Sequence, residues 1–417
     1  MNHIQLQMLR CLAAYRSGQA QAVCVPGMTD AEWNALYEQC IQQKIESIVF
    51  DTLWKSTAFC GSNTSLRQKW KQRAMLQTAR QTAHSIRIVE ICAALRQAGV
   101  PYVLVKGLLC RQLYQRPDLR ISGDEDLLIH ASDRERAHQA LQQAGMVPLP
   151  GMQEGDVTHW GDPVTALHIE LHSFLFSSAG RPEETWMNTY FDRQLAQAVT
   201  VSVPGGSVDT FTPTVHFFFL IAHALKHFLT GGFGIRTLCD MVSFAEQYAL
   251  QIDCSEVYRL LEQIHGRVFL DQILAAGADW LGFDPEAAGW QYSTEPDPEL
   301  LVLDSLDAGV YGQSSLSRKH SAGLVLGASE HNGAAAPLRR VLFPSRQEME
   351  GKYPRLREHP ALLAACWADR LGRYGAAVLR GHGKENSPLE SLSLGRKRTK
   401  MMQKYQIIPQ QKSKNKK

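Results

Sequence analysis

The stretch Lys106–Ile129, KGLLCRQLYQRPDLRISGDEDLLI, decides the reading of this chain. It closes on two aspartates, Asp124 and Asp126, at the start of an apolar run. In a β-strand, positions i and i+2 face the same side, their roots roughly 6–7 Å apart. Two carboxylates so placed can converge on one or two divalent cations. Hard cations such as Mg²⁺ take oxygen ligands and keep water and substrate phosphates in the rest of their shell. Paired cations about 3.5–4 Å apart are a common device for in-line attack at phosphorus. An Asp-x-Asp pair is also a frequent turn, so its neighbours have to carry the reading of metal-dependent phosphoryl or nucleotidyl transfer.

Three neighbours do so. Pro101-Tyr-Val-Leu-Val105 is a short β-branched and aromatic run that reads as a buried strand. It leads straight into Lys106-Gly107, where a glycine lets a backbone amide come close to a phosphate and the lysine adds a cation. Downstream, Leu167-His-Ile-Glu-Leu-His172 alternates strictly, with His168, Glu170 and His172 on one face and Leu167, Ile169 and Leu171 on the other. Two acids on one strand and a third on a neighbour make a cation cage.

These residues resemble the bacterial uncharacterised nucleotidyltransferase family of the DNA polymerase β-like nucleotidyltransferase superfamily. The likeness rests on Lys106-Gly107, Tyr114, Pro117, Arg120, Gly123-Asp-Glu-Asp126 with Leu127-Leu128, and Glu170-Leu-His172. It continues through His223-Ala-Leu-Lys-His227, Arg236 with Asp240, Leu342-Phe-Pro-Ser345 and Tyr353-Pro354. It implies an α+β protein: a polymerase-β-like palm with a small mixed sheet, flanked by helical regions, that transfers NMP from an NTP. Asp124, Asp126 and Glu170 would be catalytic and hold Mg²⁺ or Mn²⁺. Lys106, Gly107, Arg120 and Gly123 would meet the nucleotide, and His172, His223, Lys226, His227, Arg236 and Asp240 would line or support the substrate site. The superfamily's Gly-Ser phosphate loop is replaced by Lys106-Gly107-Leu108, so no hydroxyl follows the glycine. A kinase-like phosphotransferase with the same cage, or a non-catalytic nucleotide-binding protein, are the alternatives. The acceptor is open, with a small molecule, peptide or protein side chain favoured over nucleic acid.

Composition fits a soluble, cytoplasmic protein. Apolar residues make up 44% and charged residues 20% of the 417, both ordinary for globular chains, so neither extensive disorder nor a membrane protein is expected. The start, MNHIQLQMLRCLAAYRSG, has no signal-peptide pattern, and no apolar run is long enough to cross a bilayer. Nine cysteines without a CxxC pair point to reduced thiols. The whole chain carries +3, but nine basic residues and no acid lie within 396–417, leaving −6 for the rest.

Punctuation divides the chain into an N-terminal helical region at 1–98, the palm at 99–200, a C-terminal helical domain at 201–380 and a basic tail at 381–417, expected to be disordered. Thr29 with Glu32 and Ser132 with Glu135 read as capping boxes. Residues 66–98 contain neither Gly nor Pro and repeat apolar residues at helical spacing, with Gly99 to stop the helix. Thr212-Pro213 opens another helix, which Gly231-Gly232 closes. That helix is apolar except for His216, His223 and His227 with Lys226, a stripe that either lines the cleft or sits hydrogen-bonded in a helix seam. Arg236 and Asp240, four apart, read most simply as an intrahelical ion pair. Residues 313–337 read as a mobile connection.

Overall fold

Five short strands form the centre of the protein. The computed structural model describes residues 1–19, 27–149, 156–177, 181–309 and 388–408, with short stretches between 346 and 372. The strands are β1 (Tyr102–Leu104), β2 (Glu125–Ile129), β3 (Val147–Pro148), β4 (Val157–Gly161) and β5 (His168–His172), in the order β1-β2-β5-β4-β3. Only β2 and β5 run parallel; the other pairs are antiparallel. The mixed sheet and surrounding helices make an α+β protein, as expected.

Alternation sorts the side chains of the sheet. Tyr102, Leu104, Leu127, Ile129, Ile169 and Leu171 pack on one side with Ile88, Ile91 and Leu95 and with Ala137 and Leu141. The first group belongs to the long helix α5 (Thr64–Gln97) and the second to α7 (Arg134–Gln143), with the single turn α6 (Leu108–Arg111) following β1. On the other side, Val103, Val105 and Leu128 join the large helical core. Because β2 and β5 are parallel, Asp126 pairs with Glu170 in register and both carboxylates come to the same side.

Helix α5 starts at the Asn63 cap and ends two residues before Gly99, which takes a left-handed φ of 67°. The helices before it, α1 (His3–Arg16), α2 (Asp30–Gln43), α3 (Glu46–Leu53) and α4 (Thr57–Cys60), do not form a body of their own. They share one core with the helices that follow the sheet: α9 (Pro213–Thr230), α10 (Ile235–Gln247), α11 (Cys254–Glu262), α12 (Arg267–Leu281) and α13 (Glu299–Ala308). Arg16 donates to the Leu281 carbonyl at 3.0 Å, and Gln43 donates to the Leu306 carbonyl while accepting from the Ile235 amide. Between sheet and C-terminal helices come α8 (Pro182–Gln194) and a hairpin, β6 (Val199–Val203) with β7 (Gly206–Thr210).

Three expectations change. A palm boundary at 200 cuts this hairpin, whose Thr210 hydroxyl donates to the Leu104 carbonyl and so fastens it to β1. The Thr29–Glu32 capping box forms, but Ser132 lies in a 3₁₀ turn, Ala131–Asp133, and α7 begins after Asp133 without a side-chain cap. The basic tail is not disordered over residues 388–408. It forms helix α14 (Pro388–Lys404), and Met401, Met402, Tyr405, Ile407 and Ile408 are buried in the large core. Arg398 is buried with them and donates to the carbonyls of Phe228 and Thr230 at the end of α9. Its basic residues conceal this apolar stripe. The expected mobile connection at 313–337, the Leu342–Ser345 element and residues 410–417 lie outside the described residues.

Candidate active site

The site forms where the sheet's polar edge meets α9 and α10, around a cleft of about 330 Å³. Lys106, Gly107, Arg120, Asp124, Asp126, Glu170, His172, His223, Lys226, His227, Arg236 and Asp240 all line it. Gly123 is exposed in the turn leading into β2. Chain segments more than a hundred residues apart thus converge on one cleft.

Asp126 is the hub. One of its oxygens is 3.0 Å from the Lys106 ammonium, and the other is 3.1 Å from Nε2 of His172. The same His172 nitrogen lies 3.5 Å from Glu170. Burial alone would raise the Asp126 carboxyl, but Lys106 and His172 outweigh it and hold Asp126 well below the usual carboxylate range. His172 responds in the opposite sense: burial lowers it, yet its hydrogen bonds to Asp126 and Glu170 bring it above the ordinary imidazole value. Asp124 is raised, first by burial and then by the neighbouring charge of Asp126.

On the opposite wall, Lys106 also lies 3.1 Å from Nε2 of His223. An ammonium has only protons to give, so this nitrogen accepts and the His223 proton sits on Nδ1. His227 approaches the same nitrogen at 3.3 Å. Burial and then Lys106 push both imidazoles down, His227 to about 4, so both are neutral near pH 7. Lys226 is lowered by burial and by Lys106, and its ammonium stands 5.6 Å over the Phe176 ring.

The histidine stripe on α9 therefore divides. His223 and His227 line the cleft, whereas His216 is buried about two and three turns earlier, donating from Nε2 to the Val105 carbonyl at 2.7 Å. Asp240 is engaged from outside its own helix. Both its oxygens face the guanidinium of Arg120, at 3.1 and 2.6 Å, and Tyr114 donates to it at 2.7 Å. Arg236 donates to the Ile121 carbonyl. Arg120, Arg236 and Asp240 thus hold the segment before β2 against α10, and Arg120 reaches the cleft with its charge already paired.

Sequence reasoning missed Glu125. It points to the other side of β2 from the aspartates, is fully buried, and accepts from the Leu108 amide at 2.8 Å and from Arg111 at 2.6 Å. Arg111, also fully buried, reaches Gln81 and Ser122 as well. What Gly107 makes room for is this carboxylate: a Cβ there would overlap the Glu125 side chain, and its φ is 49°. The turn that presents Lys106 is thus fixed from behind. The one available signal was a third acid between the two aspartates, at the start of a strand that is otherwise apolar beyond Asp126.

The donor atoms of Asp126, Glu170 and His172 lie within 4.8 Å of one another. Two carboxylates and an imidazole suit a divalent cation, and the two positive groups pressed on Asp126 supply charge of the kind such a cation would bring. Asp124 flanks this group on the cleft wall rather than belonging to it. The residues present fit a metal, with two of the expected three acids and the His172 nitrogen converging and Asp124 standing beside them.

The family model for an uncharacterised nucleotidyltransferase matches residues 29–282, more than half of the chain and the whole of this site. The chain belongs to that family. Membership in the uncharacterised nucleotidyltransferase family supports a transferase and implies an NTP substrate. No curated protein matches. Among solved structures, the crystal structure of an antigenic nucleotidyltransferase-like protein from Paracoccidioides brasiliensis aligns at 18% identity with a TM-score of 0.31, covering 50% of this chain and 95% of that one. Among the described residues, no helix is long and apolar enough to cross a membrane.

Proposed function

We propose that this nucleotidyltransferase moves NMP from an NTP to a hydroxyl-bearing acceptor with the help of Mg²⁺ or Mn²⁺. The observation that carries this reading is the in-register pair of Asp126 and Glu170 on neighbouring parallel strands, with Asp124 and Lys106 on the same cleft. Asp124 and Asp126 would hold the cations, joined by Glu170 and by His172. Bound there, a divalent cation supplies positive charge to the phosphates and acidifies the acceptor hydroxyl.

The chain's own residues do the rest. Lys106 neutralises phosphate oxygens as their charge spreads in the transition state. Lys226, on the facing helix, adds a second cation, and the neutral His223 keeps Lys106 in place. Glu170 takes the proton of the acceptor hydroxyl as its oxygen bonds to the α-phosphorus, and the α–β phosphoanhydride breaks to release pyrophosphate. Arg120, Arg236 and Asp240 position the segment that carries the aspartates. A cleft of about 330 Å³ favours a small molecule or a single peptide or protein side chain as acceptor over a nucleic acid.

The test is incubation of the full chain with each NTP, labelled on the α-phosphate or on the γ-phosphate, together with Mg²⁺ or Mn²⁺ and a cell extract. Transfer of α-label to an acceptor is the expected result. Transfer of γ-label alone would identify a phosphotransferase, and no transfer with retained NTP binding would identify a binding protein.

A further inference from the structure

Glu170 faces two histidine-containing groups with its two oxygens. Oε2 turns to His172 and, through it, to Asp126. Oε1 turns the other way, to Nδ1 of His159 at 3.8 Å. That ring nitrogen lies in turn 3.1 Å from Nε2 of His168, and the two rings are stacked with centroids 5.2 Å apart. Donor atoms of His159, His168 and Glu170 all fall within 4.8 Å of one another.

The sheet builds this arrangement rigidly. His159 of β4 is directly opposite Glu170 of β5, and His168, two residues before Glu170, shares its face. The residue opposite His168 is Gly161, which contributes no side chain to compete for the space. Two ligands of one tetrahedral cation with bonds of about 2.0–2.1 Å stand roughly 3.3–3.4 Å apart. Two of the three pairs, at 3.1 and 3.8 Å, are close to that spacing, all three donors fall within 4.8 Å, and they come from two adjacent, hydrogen-bonded strands. Side-chain exposures of 11% for His159 and 25% for Glu170 leave solvent access for an ion and for a further ligand.

We propose that His159, His168 and Glu170 form a second divalent-cation site, separate from the Asp126 group and joined to it by Glu170. Two imidazoles and one carboxylate favour a borderline transition-metal ion such as Zn²⁺ over Mg²⁺, which prefers oxygen ligands throughout. An ion here holds one oxygen of Glu170 while the other stays directed at the reaction cleft. The site stands on its geometry and does not rest on the reaction proposed above, because its readout is metal uptake.

The experiment is titration of the metal-stripped full chain with Zn²⁺ alone, and separately with Co²⁺ alone, in the wild type, His168→Gln, the double variant His159→Gln/His168→Gln, and His172→Gln. Wild type is expected to bind one more equivalent than the double variant, and His172→Gln, which touches only the Asp126 group, is expected to keep that Mg²⁺-resistant equivalent. The Co²⁺ spectrum of that equivalent should lack thiolate charge-transfer bands. His168→Gln alone should weaken the equivalent at least tenfold, and millimolar Mg²⁺ should not displace it. Equal stoichiometry and affinity in wild type and double variant, with equal melting temperatures in EDTA, would overturn the proposal. If the double variant does not fold, His168→Gln decides, since that ring is only partly buried: unchanged affinity there also overturns it.

Discussion

Gly107 lies against the carboxylate of Glu125 so closely that a methyl group on the glycine would overlap it. The Lys106 turn is therefore built around a buried acid, and the two residues should be energetically coupled. Gly107→Ala is expected to cost more than the roughly 1–3 kcal/mol typical of a strained backbone position. In a Glu125→Ala background, itself destabilised by the loss of Arg111's partner, the same change should cost clearly less. Urea denaturation of the four proteins in this cycle checks it, and additive effects would show that the contact is unimportant.

Lys106 competes with any cation for Asp126. Lys106→Met should therefore raise the affinity for Mn²⁺, measured by calorimetry, while turnover falls by on the order of 10²–10³ through loss of one anion-stabilising donor. Weaker Mn²⁺ binding in the variant would mean that the ammonium organises the carboxylates more than it blocks them.

Asp124 carries an ionisation that burial and Asp126 oppose, so its charged form is a burden on the fold when no cation is present. Asp124→Asn should melt at or above the wild type in EDTA and lose turnover. Asp126→Asn and Glu170→Gln should also abolish turnover without unfolding the protein. Scanning calorimetry beside the labelled-NTP assay tests both halves, and wild-type activity in all three variants contradicts the proposed mechanism.

His216 gives a pH dependence that can be assigned. Burial lowers it from 6.5 to about 4 in the folded protein, so the unfolded chain binds its proton first as pH falls. The neutral, hydrogen-bonded ring stabilises the fold fully above pH 6.5, and its contribution is lost progressively between pH 6.5 and 4. The loss amounts to about 3 kcal/mol at 1.36 kcal/mol per unit. His216→Gln should be less stable at neutral pH and show a slope shallower by up to about one proton across that window. An unchanged slope would place the acid sensitivity elsewhere, with His227 the first candidate.

Deletion after Gly395 removes five buried apolar side chains together with Arg398. At about 1.5–3 kcal/mol for each buried side chain, the loss is on the order of 7–15 kcal/mol, enough to prevent folding of most domains. A truncated protein with wild-type melting temperature would show that α14 contributes little.

Alternation around Glu170, the Asp-x-Asp spacing and the Pro213 start of α9 made the sheet edge and its facing helix legible from residues alone. The rest was hidden for specific reasons. Glu125 and Arg111 resemble surface charges until the fold brings them together across 14 residues, because pairing, unlike periodicity, leaves no local pattern. His216, His223 and His227 share one face of a helix, but α9 crosses from the β1 edge to the cleft, so tertiary position gives identical residues different surroundings. In the tail, abundant lysines obscured a short apolar stripe whose partner is α9.

The grip of Arg398 on the carbonyls of Phe228 and Thr230 also bears on synthesis. A ribosome delivers α9 long before it delivers the segment that covers its end. At about 5–20 residues per second, residues 231–408 take on the order of 10–40 s to follow. Throughout that interval the apolar face of α9 facing α14 stays open to water and to other nascent chains. The helix that carries His223, Lys226 and His227 thus reaches its final packing late in synthesis, and chaperone supply in the producing cell becomes a determinant of yield.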